Sequence, residues 1–216
     1  MQSVLVGRVA TVAALGVLAC NGTQPPNPPF QLVISGGNAQ SWYFNNPLPT
    51  PLSVTALDVD GLPVSGVVVT WAVTSGAGAV SPAPSTTDAN GIATAIDSIG
   101  SSTIQNVSAT FAGLPGPVTF TEFATTPPTA TTADVSVNDN SFTPGMVGLK
   151  RGGTVTWTWA GVNTHNVTFT GGPTPRPANL DNRTTGTGQA TFTAVGRYTY
   201  VDTNHAGMSG SIDVVY

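Results

Sequence analysis

The chain has two histidines, His165 and His205, and both fall in its C-terminal part. Asp202 lies three residues before His205, and Met208 three residues after it. A tight loop between two antiparallel strands can turn three side chains spaced in this way toward one point. His165, at the start of another strand, can approach that point from the side. Imidazole nitrogen, carboxylate oxygen and thioether sulfur together form a donor set for a transition metal. The plainer alternative makes the histidines ordinary, partly exposed residues and Met208 a filler of the core. Two histidines are too few for a multicopper oxidase, and one cysteine, Cys20, excludes an intrachain disulfide and any Cys-based zinc cluster. With both histidines assigned, no Ser-His-Asp set remains and no further general base stands nearby, so an enzyme is not expected.

The segments around these residues read as strands. Val135 and Val137 alternate with polar neighbours, and Thr154-Val155-Thr156-Trp157-Thr158-Trp159 places tryptophan on one face. Val167 and Phe169, Ala190 to Ala194, Arg197 to Val201 and Ser211 to Val215 follow, and no segment has the period of a long amphipathic helix. A Thr- and Pro-rich stretch, 125–133, reads as a linker, which makes 134–216 a separate domain. Before it, from 30 to 124, the period is again two. Val67, Val69, Trp71 and Val73 share a face, as do Leu52, Val54 and Ala56, and likewise Val107, Ala109 and Phe111. Turn signals at Asp60-Gly61, Ser75-Gly76, Asn90-Gly91 and Leu114-Pro115-Gly116 separate them. The fold class is therefore all-β, two tandem β-sandwiches. Asp58 and Asp60 ahead of Gly61 lack the alternating oxygen ligands and distal Glu of a calcium loop, so they are read as a hairpin turn.

Composition agrees. Of 216 residues only 7% are charged, against about 25% in an average soluble domain, while 25 Gly and 18 Pro supply turns. The net charge of −4 excludes non-specific nucleic-acid binding, which needs clustered Lys and Arg. At the N-terminus, Arg8 precedes an uncharged apolar run from Val9 to Ala19, too short to span a bilayer. This reads as a signal peptide over 1–19. The end of the run, Val17-Leu18-Ala19-Cys20, resembles a bacterial lipobox, although Leu18 is bulkier than usual there. The resemblance implies lipidation of Cys20 and a membrane anchor, with the Pro-rich segment within 20–29 as a semi-rigid tether. The location implied is the bacterial cell envelope. The sequons at Asn106, Asn166 and Asn182 are read as chance.

Two further resemblances carry the domains. Asp58 to Trp71, and above all Thr87-Asp88-Ala89-Asn90-Gly91-Ile92-Ala93-Thr94, resemble bacterial immunoglobulin-like domains of the invasin and intimin type. That implies an Ig-like spacer or adhesion module over 30–124. Ser141-Phe142-Thr143-Pro144, Gly153 to Trp157, His165 to Phe169, Gly196 to Tyr200 and His205 to Ile212 resemble a plastocyanin-type cupredoxin, in the family's order. The resemblance implies copper held by a first His, then by Cys, His and Met of the last loop. His165, His205 and Met208 match; Asp202 stands where the family has Cys. Family members often carry an Asn near Trp159 that ties the ligand loops together, a role left here to Asn163 or Asn166. A carboxylate is harder than a thiolate, so a type-2-like copper site of low potential, or zinc or another divalent ion, is expected in place of blue copper. The function expected is a copper-binding envelope lipoprotein engaged in electron transfer with a redox partner or in copper handling. The alternative is a structural or adhesive protein whose second domain has lost its metal.

Overall fold

The computed structural model describes residues 27–216. The signal peptide expected over 1–19, the anchor at Cys20 and the first part of the tether lie outside the described residues. The first half contains β1 (Gln31–Gly36), β2 (Ser41–Tyr43), β3 (Leu52–Leu57), β4 (Val68–Ser75), β5 (Ala79–Ser81), β6 (Ser85–Thr86), β7 (Ile92–Ser98), β8 (Ile104–Thr110) and β9 (Val118–Thr125). They form two sheets, in the orders β1-β3-β7-β5 and β2-β9-β8-β4-β6. Side chains alternate between faces along a strand, and the period-two positions of the sequence land between the sheets. Leu52, Val54 and Ala56 face Val69, Trp71, Val107, Ala109 and Phe120 in one buried cluster.

The turn read at Asp58 forms. Asp58 Oδ1 accepts the backbone N–H groups of Asp60 and Leu62, each at 2.9 Å, and Gly61 supplies the positive φ of +76°. Asp88 closes an identical turn, accepting from Asn90 at 2.8 Å and Ile92 at 2.9 Å. These Asx turns spend one carboxylate oxygen on the backbone.

The second half contains β10 (Thr132–Asn138), β11 (Ser141–Thr143), β12 (Met146–Lys150), β13 (Thr154–Trp159), β14 (His165–Gly171), β15 (Leu180–Arg183), β16 (Gly186–Thr191), β17 (Gly196–Val201) and β18 (Ser209–Val215). Its sheets run β11-β10-β13-β16 and β12-β18-β17-β14-β15. Val155, Trp157, Tyr198, Tyr200, Phe192 and Ile212 fill the space between them in a second, separate cluster. The strand expected at 190–194 runs earlier, as β16, because its pairing with β13 extends from Gly186 to Thr191. The short polar strand β15 has no period to announce it. It forms because it pairs with the start of β14, His165 opposite Arg183.

The two sandwiches touch through a polar contact. Arg197, paired within the second sandwich to both oxygens of Asp213 at 2.7 and 2.8 Å, reaches across to lie 5.2 Å above the ring of Trp42. The Tyr43 hydroxyl donates to Asp213 at 3.1 Å, and the Tyr216 N–H donates to Asn46 at 2.9 Å.

Candidate metal centre

Two loops at one end of the second sandwich carry the site. The first leads from β13 into β14. Its backbone is pinned to the turn after β10: Ala160 and Gly161 donate to the Val137 carbonyl, and Val162 and Asn163 donate to Asp139 Oδ1 at 2.7 and 2.9 Å. The indole of Trp159 donates to the His165 carbonyl at 3.0 Å, fixing where β14 begins. The second loop joins β17 to β18. The Asp202 N–H donates to the Met208 carbonyl at 3.0 Å and the Met208 N–H to the His205 carbonyl at 3.2 Å, with Gly207 at φ +85°. This closed loop turns Asp202 and His205 inward.

Three of the four expected residues, His165, Asp202 and His205, meet. His165 Nδ1 lies 2.8 Å from Asp202 Oδ2, and His205 Nδ1 lies 2.6 Å from the same oxygen. The imidazole rings sit 4.4 Å apart, 34° from parallel. One donor atom from each of the three residues lies within 4.8 Å of the others. His165 is fully buried and the Asp202 side chain is buried too, while the His205 side chain keeps 27% of its surface exposed. Full burial of His165 removes the reading in which it is an ordinary, partly exposed residue. Met208 is buried among the core residues of this sandwich.

The electrostatics favour an ionised Asp202. Burial on its own pushes the carboxyl up. Hydrogen bonds from the two imidazoles and from the N–H groups of Asn204 and Asn166 outweigh it and hold the carboxyl below its ordinary value. Oδ2 faces both rings, while Oδ1 accepts the backbone N–H groups of Asn166 at 3.1 Å and Asn204 at 3.2 Å.

Of the two asparagines considered for tying the loops, Asn166 does so. Its Oδ1 accepts the Thr203 N–H at 3.2 Å, and its Nδ2 donates to Thr203 Oγ1 at 2.8 Å and to Asn182 Oδ1 at 2.9 Å. Asn204 adds a second tie, donating to the Thr164 carbonyl at 3.1 Å and to Asn182 at 2.8 Å. Sequence reasoning did not single out Asn204 or Asp139, nor the bond from Trp159 to His165, and it read Asn182 only as a chance sequon. Asp139 sits in an Asn-Asp-Asn run, which signals only a turn.

The comparisons with known proteins concern the second sandwich. Residues 129–215 match the family of copper binding proteins of the plastocyanin/azurin type. This stretch is thus a cupredoxin domain, and the match ends one residue short of the C-terminal Tyr216. Among solved structures, the chain is similar to a pseudoazurin from Sinorhizobium meliltoi, at 22% identity over 39% of this chain and 74% of that one, with a TM-score of 0.35. It is similar to the oxidised plastocyanin of Dryopteris crassirhizoma at 25% identity, over 38% of this chain and 99% of that one, with a TM-score of 0.34. A purple cupredoxin from Nitrosopumilus maritimus is 23% identical over 38% of this chain and 99% of that one, with a TM-score of 0.35. No curated protein matches the chain.

The residues present fit a divalent ion of the kind the cupredoxin family holds. Two imidazole Nδ1 atoms and one ionised carboxylate oxygen converge on a single small volume. Nitrogen and oxygen donors of this type suit Cu(II) and Zn(II).

Proposed function

We propose that the cupredoxin domain binds a divalent copper ion through His165, Asp202 and His205, with Met208 as a weak fourth donor. The observation that carries this reading is the convergence of both Nδ1 atoms on Asp202 Oδ2, at 2.8 and 2.6 Å. The carboxylate replaces the soft thiolate by a hard, ionic donor, which favours Cu(II) over Cu(I). Bound copper supplies a one-electron couple of low potential or a stored Cu(II) ion, with type-2-like spectra and little colour; zinc suits the same donors. The partly exposed His205 leaves one edge of the site open to a redox partner or to a copper donor.

The first sandwich, in this reading, is an Ig-like spacer. Its support is the Asp88-Ala89-Asn90-Gly91 turn and the alternating strands on either side. The chain is exported and anchored through Cys20, as the Arg8 charge, the apolar run to Ala19 and the following cysteine indicate. Metal binding is tested by titrating the chain with Cu(II) and recording its electron paramagnetic resonance spectrum. The anchor is tested by detergent partitioning of the exported chain, which Cys20→Ala moves to the aqueous phase.

A further inference from the structure

Asp139 belongs to neither ligand loop. It sits in the turn between β10 and β11, on the opposite sheet from β14. Its Oδ1 holds two N–H groups of the loop entering His165, and the same oxygen lies 3.6 Å from His165 Nε2. That ring nitrogen is fully buried and has no hydrogen-bond partner among the described residues. A buried ring nitrogen left without a partner is costly. Residue 161 is glycine where the fit is closest: a Cβ there would collide with the Asp139 carboxylate oxygen. Loop, carboxylate and ring therefore form one packed unit.

We propose that Asp139 is a positioning residue of the metal centre, its carboxylate receiving the Nε2–H of His165 so that Nδ1 is kept as the atom facing the metal. This rests on the copper reading above. Metal-bound histidines commonly donate their second ring N–H to a carboxylate or carbonyl, which fixes the tautomer and the ring orientation. A ring shift of roughly half an ångström brings the 3.6 Å separation into the hydrogen-bond range. The loop and His165 also hold the Asp139 carboxyl below its ordinary value: the bond from Asn163 is the largest cause, against a smaller opposing effect of desolvation.

The test compares wild type, Asp139→Ala and Asp139→Asn in the full chain, with Cu(II) alone as the probe. Two quantities are read: Cu(II) affinity, and the electron-spin-echo modulation from the remote imidazole nitrogens, which responds to hydrogen bonding at Nε2. Asp139→Ala is expected to weaken affinity by about 10–100-fold and to change the modulation of one of the two imidazoles. Asp139→Asn keeps an oxygen for the Val162 and Asn163 amides but removes the charge, and should fall between the two. If the alanine variant does not fold, the asparagine variant decides. Wild-type affinity and modulation in Asp139→Asn would reduce Asp139 to a loop clamp and overturn the proposal. A wild-type chain that takes up no copper overturns the metal reading itself, and this inference with it.

Discussion

Asp202 presents one carboxylate oxygen to His205 at a distance of 2.6 Å, and it does so from within the same closed loop, three residues away. Such a contact needs no long-range packing to form; β17 and β18 have only to pair, Val201 opposite Ser209, and the loop between them delivers both side chains. His165 is brought from another strand to the same oxygen.

Replacing the carboxylate by a thiolate should restore the chemistry of blue copper. Asp202→Cys, refolded and loaded with Cu(II), is expected to show an intense visible thiolate-to-copper band that wild type lacks. A folded, copper-loaded variant without that band would mean that residue 202 does not face the metal.

Acid should open the site. The Asp202 carboxyl is held below its ordinary value in the folded chain, so its contribution to stability is complete above the unfolded value of about 4. It is lost as pH falls through the lower folded value. Thermal midpoints recorded from pH 6 downward should show this loss in wild type, and less of it in Asp202→Asn. At neutral pH, Asp202→Ala strands the N–H groups of Asn166 and Asn204 and should cost about 1–3 kcal/mol. Equal acid sensitivity of wild type and the asparagine variant would contradict this.

The first sandwich should respond to pH in the opposite sense. Asp97 and Glu122 are fully buried, and each has one oxygen without a partner. Residues 27–125 contain no Lys, Arg or His to neutralise them. Burial is the main cause that pushes Asp97 up to about 6 and Glu122 up to about 7. Folded values above the unfolded ones mean that stability is greatest below about pH 4 and declines as pH rises toward 7. Glu122→Gln, which keeps an acceptor for the Gln40 N–H, should flatten that decline by on the order of 2–3 kcal/mol. Unchanged pH dependence in the variant would show that Glu122 is not the titrating group.

Arg197 should hold the two sandwiches together. Asp213 is buried at 1% exposure; Arg197 is its cationic partner on the neighbouring strand of the same sandwich, and the guanidinium reaches across to lie over Trp42 of the first. The arginine is itself 42% exposed, so the loss is discounted for solvent. Arg197→Ala should cost about 1–3 kcal/mol and separate the unfolding of the two halves in calorimetry. A single transition at the wild-type temperature would contradict this.

The extent to which the sequence announces all this varies by element. Strands with one apolar face, such as β3 and β13, are legible because their period of two survives in the residues themselves. The histidines are legible because they are rare and fall close to Asp202 and Met208. β15 is not, because Leu-Asp-Asn-Arg has no apolar face and forms only as a pairing partner of β14. Asp139 is hidden for a similar reason: its role depends on the parallel pairing of β10 with β13, which lays the Asn138–Asn140 turn against the loop after Trp159. Trp159 looks like a core residue and is one, but its indole nitrogen also fixes the His165 backbone. Asp97, Gln105 and Glu122 occupy core-facing positions of their strands, where the period alone leads one to expect apolar residues.

The central claim is that His165, Asp202 and His205 bind a copper ion. The most direct measurement is a Cu(II) titration of the chain followed by electron paramagnetic resonance and visible spectroscopy, with His205→Ala alongside. The account predicts one ion per chain, a large type-2-like hyperfine splitting, little colour, and loss of the signal in the variant. Absent or non-stoichiometric binding, or an equal signal from His205→Ala, would contradict it.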